Sequence, residues 1–450
     1  MERLTCVAFD MVLTATTSML LPLIVFAPNT AHFDIANGRL VRGFSATTRF
    51  VRFIRESQAI FARTNQDGLG KFIAHIALLV CIRGLRAYIM AIRVNQDEAT
   101  VKPESPAKSD TYNAKKAASR PLHRRRRIDG ITVVFSLIGA AVLALHLRAH
   151  TVSLPPDVIP EDCTQQVYPW FSSKPMACSV FEYNCYRHGD LSPSPDALSH
   201  LNGPALYLVY FTHCPGLIVP TEALPDFHDL RFVRIYNSTL VEWKTATYHT
   251  NTQRISSVSL VRTDMAQLPQ AMITAPIART ISTSVLVKPN LTTLPDDLST
   301  RIGNRRFNVL FVESGILTAV PPALCSMDVG DLSFANNAIT AVPSCWADKP
   351  RHYDFINLAD NPLSTIPSRS PSATSSTTFG ELVLDRTLVA ALPSWVTGRS
   401  GGSVYMLKTP FCTNHTQFPS TAVKIVCATP HRTTNGSFRL ASIDGDFAMS

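Results

Sequence analysis

The sequence predicts an α/β repeat solenoid over its C-terminal half, and two observations carry that prediction. The last apolar residue of each unit falls at Val219, Trp243, Leu268, Leu294, Val320, Val342, Ile366 and Leu392, and a proline follows all of them but Trp243. Successive intervals are 24, 25, 26, 26, 22, 24 and 26 residues. Each interval also holds a nested set of upstream apolar positions. These are Leu206, Val209 and Phe211; Leu230, Val233 and Ile235; Ile255, Val258 and Leu260; Ile281 and Leu286; Phe307, Leu310 and Val312; Phe379, Leu382 and Leu384. A unit of this length cannot bury its own apolar face, so the units must stack. Regular turn spacing would also suit a β-sandwich.

Two units show the full pattern: Val329, Leu332, Phe334, Asn337, Ile339, Val342 and Pro343, then Tyr353, Ile356, Leu358, Asn361, Leu363, Ile366 and Pro367. This spacing resembles the leucine-rich repeat, and the resemblance covers about residues 206–417. It implies a parallel β-sheet on the concave face and a mostly irregular convex side. It also implies that the Asn side chain satisfies backbone groups where each strand bends into its return segment. Elsewhere Cys214, Ser238, Thr263, Pro289, Gly315 and Thr387 occupy that position, and Ser284 replaces an apolar strand residue. Small hydroxyl residues can substitute, because they too bond locally to backbone.

The net charge of +9 lies at the N-terminal end: up to Asp129 there are 20 Lys/Arg against 10 Asp/Glu, and beyond it 22 against 23. The basic residues accompany apolar stretches, which favours a membrane surface over nucleic acid as partner. Residues 131–147 form a seventeen-residue run without formal charge, directly after Arg124, Arg125, Arg126 and Arg127. They are expected to form a transmembrane helix, with the N-terminal side cytoplasmic and the repeats extracellular, at the plasma membrane. Residues 11–27 read as a further membrane segment or a buried helix. Residues 44–63 read as a basic amphipathic helix, on the inner leaflet or in solvent, and residues 72–92 as an interfacial or re-entrant helix.

The expected organisation is therefore a basic, partly apolar, helical membrane-associated region at 1–92 and a disordered basic linker at 93–127. The transmembrane helix follows at 128–148 and a cysteine-containing N-terminal cap at 149–205. About eight repeats occupy 206–403, a C-terminal cap 404–430 and a tail 431–450.

Eight of the ten cysteines follow the apolar run: Cys163, Cys178, Cys185, Cys214, Cys325, Cys345, Cys412 and Cys427. An even number suggests disulfides made in an oxidising compartment. Cys412 with Cys427 would close a short loop after the last repeat, and Cys325 with Cys345 would join adjacent units. Pairing among the first four stays open. The sequons at Asn237, Asn290, Asn414 and Asn435 all follow the apolar run, as candidate glycosylation sites.

Catalytic motifs are lacking: the sequence has no G-x-S-x-G, G-x-x-x-x-G-K-[ST] or H-E-x-x-H and no kinase signature. No enzyme activity, cofactor or metal is expected. Side chains between the strand apolar positions should face away from the core. Candidate partner-binding residues on that concave face are Phe232, Arg234, Tyr236, Val285, Phe311, Glu313, Asn357 and Asp385. Val261, Val285, Val287, Val309 and Phe311 should form an exposed apolar patch, beside an aromatic–arginine cluster of the residue types that dominate interfaces. The resemblance implies receptor-like recognition of a protein or peptide ligand, with membrane lipid and a cytoplasmic signalling protein as further partners. A structural or adhesive surface role, or an incomplete ectodomain of a longer receptor kinase, are the alternatives.

Overall fold

The computed structural model describes residues 33–34, 39–40, 144, 148, 162–167, 177–244, 255–274, 278, 280–302, 306–348, 351–372, 377–398, 402–414 and 423–433. The chain divides into two compact units, Met1–Phe44 with Thr48–Thr151, and Ser45–Thr47 with Val152–Ser450. In the first, β1 (Phe33–Asp34) and β2 (Arg39–Leu40) form an antiparallel ribbon within the region expected to be helical. The sequence between them carries Asn37 and Gly38, a pair that favours tight connections between antiparallel strands. The apolar and basic stretches at 11–27, 44–63 and 72–92, and the linker at 93–127, lie outside the described residues.

The expected transmembrane helix is corrected. Among the described residues no helix is long and apolar enough to cross a membrane. Among the described residues the longest α-helices, Leu298–Ile302 and Pro410–Asn414, have five residues each. Residues 128–148 lie outside the described residues apart from Ala144 and Arg148.

The second unit is built on a thirteen-stranded sheet. Its first strands are β3 (Cys163–Gln166), β4 (Cys178–Asn184), β5 (Leu208–Thr212), β6 (Leu217–Ile218), β7 (Phe232–Glu242) and β8 (Ser257–Asp264). Next come β9 (Thr283–Val287), β10 (Arg306–Glu313), β11 (Asp328–Ser333) and β12 (His352–Asn357). The last are β13 (Thr378–Val383), β14 (Ser403–Tyr405) and β15 (Lys424–Val426). From β4 to β15 the main path is parallel and in chain order, β3 pairs antiparallel at the edge, and β6 pairs β7 off the path. The sheet thus runs on past 206–403 at both ends, into the segments read as caps. Its register matches the repeat, with Val209 opposite Val233, Val233 opposite Val258, and Leu310 opposite Leu332.

Strand residues at alternate positions point to opposite sides. On one side Val209, Phe211, Val233, Ile235, Val258, Leu260, Leu286, Val312, Leu332, Phe334 and Leu384 are buried in one continuous core. The prolines after the last apolar positions explain the return path. Pro269, Pro321 and Pro393 have extended backbones and cap short helical turns beginning at Gln270, Pro322 and Ser394. A fixed φ and no N–H donor make proline suited to that boundary.

A single left-handed step recurs in every repeat from β5 to β14, at or just past the strand end in most and inside β7 and β8. His213, Asn237, Arg262, Lys288, Ser314, Asn336, Asp360, Arg386 and Lys408 all have positive φ, between 46° and 59°. The first eight each stand one residue before an expected Asn position, and Lys408 adds a ninth step after β14. Most are residues for which this left-handed region costs about 1–2 kcal/mol. Backbone bonding offsets that cost: Lys288, Ser314, Asn336, Asp360 and Arg386 each donate N–H to the carbonyl one strand on, at 2.8–3.0 Å. Behind the turn, Asn337 donates to the carbonyls of Val312, Phe334 and Ala335 and accepts from Leu317 N–H. Asn361 repeats this with Phe334, Leu358, Ala359 and Ile339. Ser238, Thr263 and Thr387 place hydroxyls in the same position and bond to fewer backbone groups.

Four disulfides fasten the stack: Cys163–Cys178, Cys185–Cys214, Cys325–Cys345 and Cys412–Cys427. The last two are the pairs expected from spacing, and the first two resolve the choice left open at the N-terminal end.

Candidate functional site

The face of the sheet opposite the main core carries the residues between the core positions. From β4 to β14 the central column reads Glu182, Tyr210, Arg234, Ser259, Val285, Phe311, Ser333, Asn357, Val383 and Tyr405. The structure brings all eight candidate partner-binding residues onto this face, and all eight are buried; Tyr236, the most exposed, reaches 9 %. The expected exposed apolar patch is therefore corrected. Val261, Val285, Val287 and Phe311 belong to a second apolar cluster with Tyr236, Phe355, Ala359 and Val383, and Val309 packs against it. Parallel sheets commonly bury both faces, which the two-residue alternation alone does not reveal.

The face has three chemical zones. At its N-terminal end Arg234 donates from Nη1 to the Tyr210 hydroxyl at 2.8 Å, and its guanidinium lies 5.5 Å from the Tyr210 ring centre. Phe232 packs on Tyr207 with ring centres 5.4 Å apart, and Thr212 donates to the Glu182 carboxylate at 2.7 Å. The result is a rigid aromatic–arginine cluster. The middle zone is apolar, bounded by Glu313, which accepts a hydrogen bond from the Ser333 hydroxyl.

The C-terminal zone, around Asn357 and Asp385, is polar. Asp385 accepts from Leu407 N–H at 2.7 Å and from His431 N–H at 2.9 Å. Asn357 accepts from Ala359 N–H at 3.0 Å and donates to the Thr433 carbonyl at 2.9 Å. Tyr405 borders this zone; burial, then the nearby Glu381 carboxylate, raises its pKa above the ordinary tyrosine value. Sequence reasoning missed Tyr405, His431 and Thr433. The latter two follow the last disulfide and carry no repeat pattern, so only their contacts reveal them.

Other candidates are placed as follows. Asn237, Asn290 and Asn414 are exposed, and Asn290 also accepts from Met265 N–H at 2.8 Å; Asn435 lies outside the described residues. A separate open groove of about 600 Å³ runs along the left-handed turns, beside Asp190, His213, Asn237, Arg262 and Asp264. Among the described residues no group of three or more His, Cys, Asp and Glu side chains could hold a metal ion.

No protein-family model and no curated protein matches the sequence. Among solved structures, the chain is similar to a leucine-rich repeat protein from Bacteroides eggerthii, with 13 % identity and a TM-score of 0.32. That match covers 47 % of this chain and 43 % of the other. The chain's own geometry, a parallel sheet with asparagines bonded behind left-handed turns, fits a leucine-rich-repeat solenoid.

Proposed function

We propose that this solenoid is a non-catalytic recognition module, receptor-like in use, whose concave sheet face takes a protein or peptide partner. The observation that carries the reading is the cluster on β5 and β7. Arg234 is held by Tyr210 beside Phe232 and Tyr236, so aromatic and guanidinium groups sit pre-ordered on one sheet face. Pre-ordered anchors of these types cost little entropy on binding and dominate interface energetics. The main chain there is committed to the strand ladder, so recognition falls to the side chains.

An oxidising, extracytoplasmic setting for the repeats is supported by four disulfides and by exposed sequons at Asn237, Asn290 and Asn414. Contact with anionic lipid is supported only by Arg49, Arg52, Arg55 and Arg63 among apolar neighbours in residues 44–63.

The test is capture of a surface-protein partner by the full chain and by the Arg234→Ala, Tyr236→Ala, Phe311→Ala variant, with folding checked by circular dichroism. The variant is expected to recover the partner at least ~10-fold less well, as loss of hot-spot anchors would give. Equal recovery would show that this is the wrong face.

A further inference from the structure

This inference rests on the recognition reading and names the occupant of one part of the face. Residues 431–433 follow the Cys412–Cys427 bridge and β15, yet their bonds go back to β12 and the residues after β13. β15 pairs with β14, so the segment crosses over the sheet and adds no strand at its edge. Side chains hold it. Asp385 accepts the His431 N–H at 2.9 Å, and Asn357 donates to the Thr433 carbonyl at 2.9 Å. Both contacts read backbone groups that any extended peptide presents.

The His431 ring adds a side-chain anchor. It stands edge-on to Tyr405 at 4.4 Å and tilted against Phe355 at 5.8 Å, with Nε2 3.6 Å from a Glu381 carboxylate oxygen. Thr433 N–H donates to His431 Nδ1 at 3.3 Å, which folds the segment into a turn where it meets the sheet. His431 and Thr433 are buried while Arg432 between them is exposed. One anchor in, one residue out and one anchor in is how a bound peptide engages a groove.

We propose that Phe355, Asn357, Asp385 and Tyr405 form a peptide subsite whose resident ligand is the chain's own 431–433 segment. An external peptide gains this subsite only by displacing it. The external ligand is a short peptide that takes the same turn, with a ring side chain at the first anchor, a carbonyl two residues later and a small hydroxyl residue there. Tethering through Cys427 presents the resident segment at millimolar effective concentration, so weak intrinsic affinity suffices to keep competitors out.

The experiment uses a fluorescent synthetic peptide of residues 428–433 and the full chain, unaltered or as His431→Ala, Thr433→Ala. Anisotropy should show saturable binding to the variant and at least ~100-fold weaker binding to the unaltered chain, the advantage expected of a tethered competitor. Equal binding to both would overturn the proposal, as would no binding to a variant that keeps its circular dichroism and four disulfides. Should the variant not fold, hydrogen exchange at the His431 amide of the unaltered chain decides. Protection that is lost on adding excess peptide supports displacement; exchange unaffected by peptide refutes it. The labelled peptide is the chain's own, so this readout is independent of any partner. Its failure would leave recognition by Arg234, Tyr236 and Phe311, on β7 and β10, to be judged by capture alone.

Discussion

The units around Asn337 and Asn361 and those around Ser238 and Thr263 share a left-handed residue one position earlier, yet fasten the turn differently. Asn337 and Asn361 each donate to three carbonyls and accept one N–H, reaching into the preceding unit. Ser238 makes two such bonds, to Tyr236 O and from Cys214 N. Thr263 donates to Val261 and Ile235 carbonyls at 3.2 and 3.4 Å. The φ values scarcely differ, 46° and 50° at Asn237 and Arg262 against 56° at both Asn336 and Asp360. The stacked backbone ladder therefore sets the turn, and the side chain behind it sets how strongly the turn is held.

The comparison can be broken most sharply at Asn361, which is 2 % exposed. Asn361→Ala strands several buried backbone groups and should cost about 3 kcal/mol, since each unsatisfied group costs ~1–3 kcal/mol. Denaturant unfolding measures this, and a loss below ~1 kcal/mol would mean the ladder alone holds the turn.

Next comes the core column. Tyr353 stands where the hydroxyl-bearing units have Leu230 and Ile255, and burial pushes its pKa up to about 12, with Arg351 opposing and Asp328 adding. The folded state keeps the phenol protonated where the unfolded chain ionises. Its contribution is therefore complete below pH 10 and is lost as pH rises toward 12, a change on the order of 2 kcal/mol. Tyr353→Phe should flatten the decline in stability between pH 10 and 12, and an unchanged decline would clear Tyr353 of the effect. The smallest effect is expected at Ser238: Ser238→Ala should cost about 1 kcal/mol, the worth of ordinary neutral hydrogen bonds. A cost equal to that of Asn361→Ala would erase the distinction between the two kinds of unit.

Much of this was legible from residues. The intervals between Val219 and Leu392 match those between the left-handed residues His213 and Arg386, because both count residues per stacked unit. Cys325 with Cys345 and Cys412 with Cys427 followed from their places in or just after the repeats. The candidate face was legible as a set of positions, since alternation along a strand assigns Arg234, Phe311 and Asn357 to one side. Its state was not. Alternation says which way a side chain points and nothing about what packs against it, so Phe311 read as exposed and proved 4 % exposed. The span at 131–147 was read from apolar content and the four arginines before it, and neither shows that the chain forms there a helix long enough to cross a bilayer.

By itself the sequence determined the repeat length and the core columns, because these follow from local periodicity and from the need of each unit to bury its face on the next; the parallel strand direction was what the resemblance to the leucine-rich repeat implied. Only the tertiary structure decided the pairing Cys163–Cys178 and Cys185–Cys214, the second apolar cluster around Phe311, and the docking of His431 and Thr433 on Asp385 and Asn357. Such contacts join residues up to 76 positions apart. They are fixed by where the stacked sheet brings the chain in space, which no local pattern encodes.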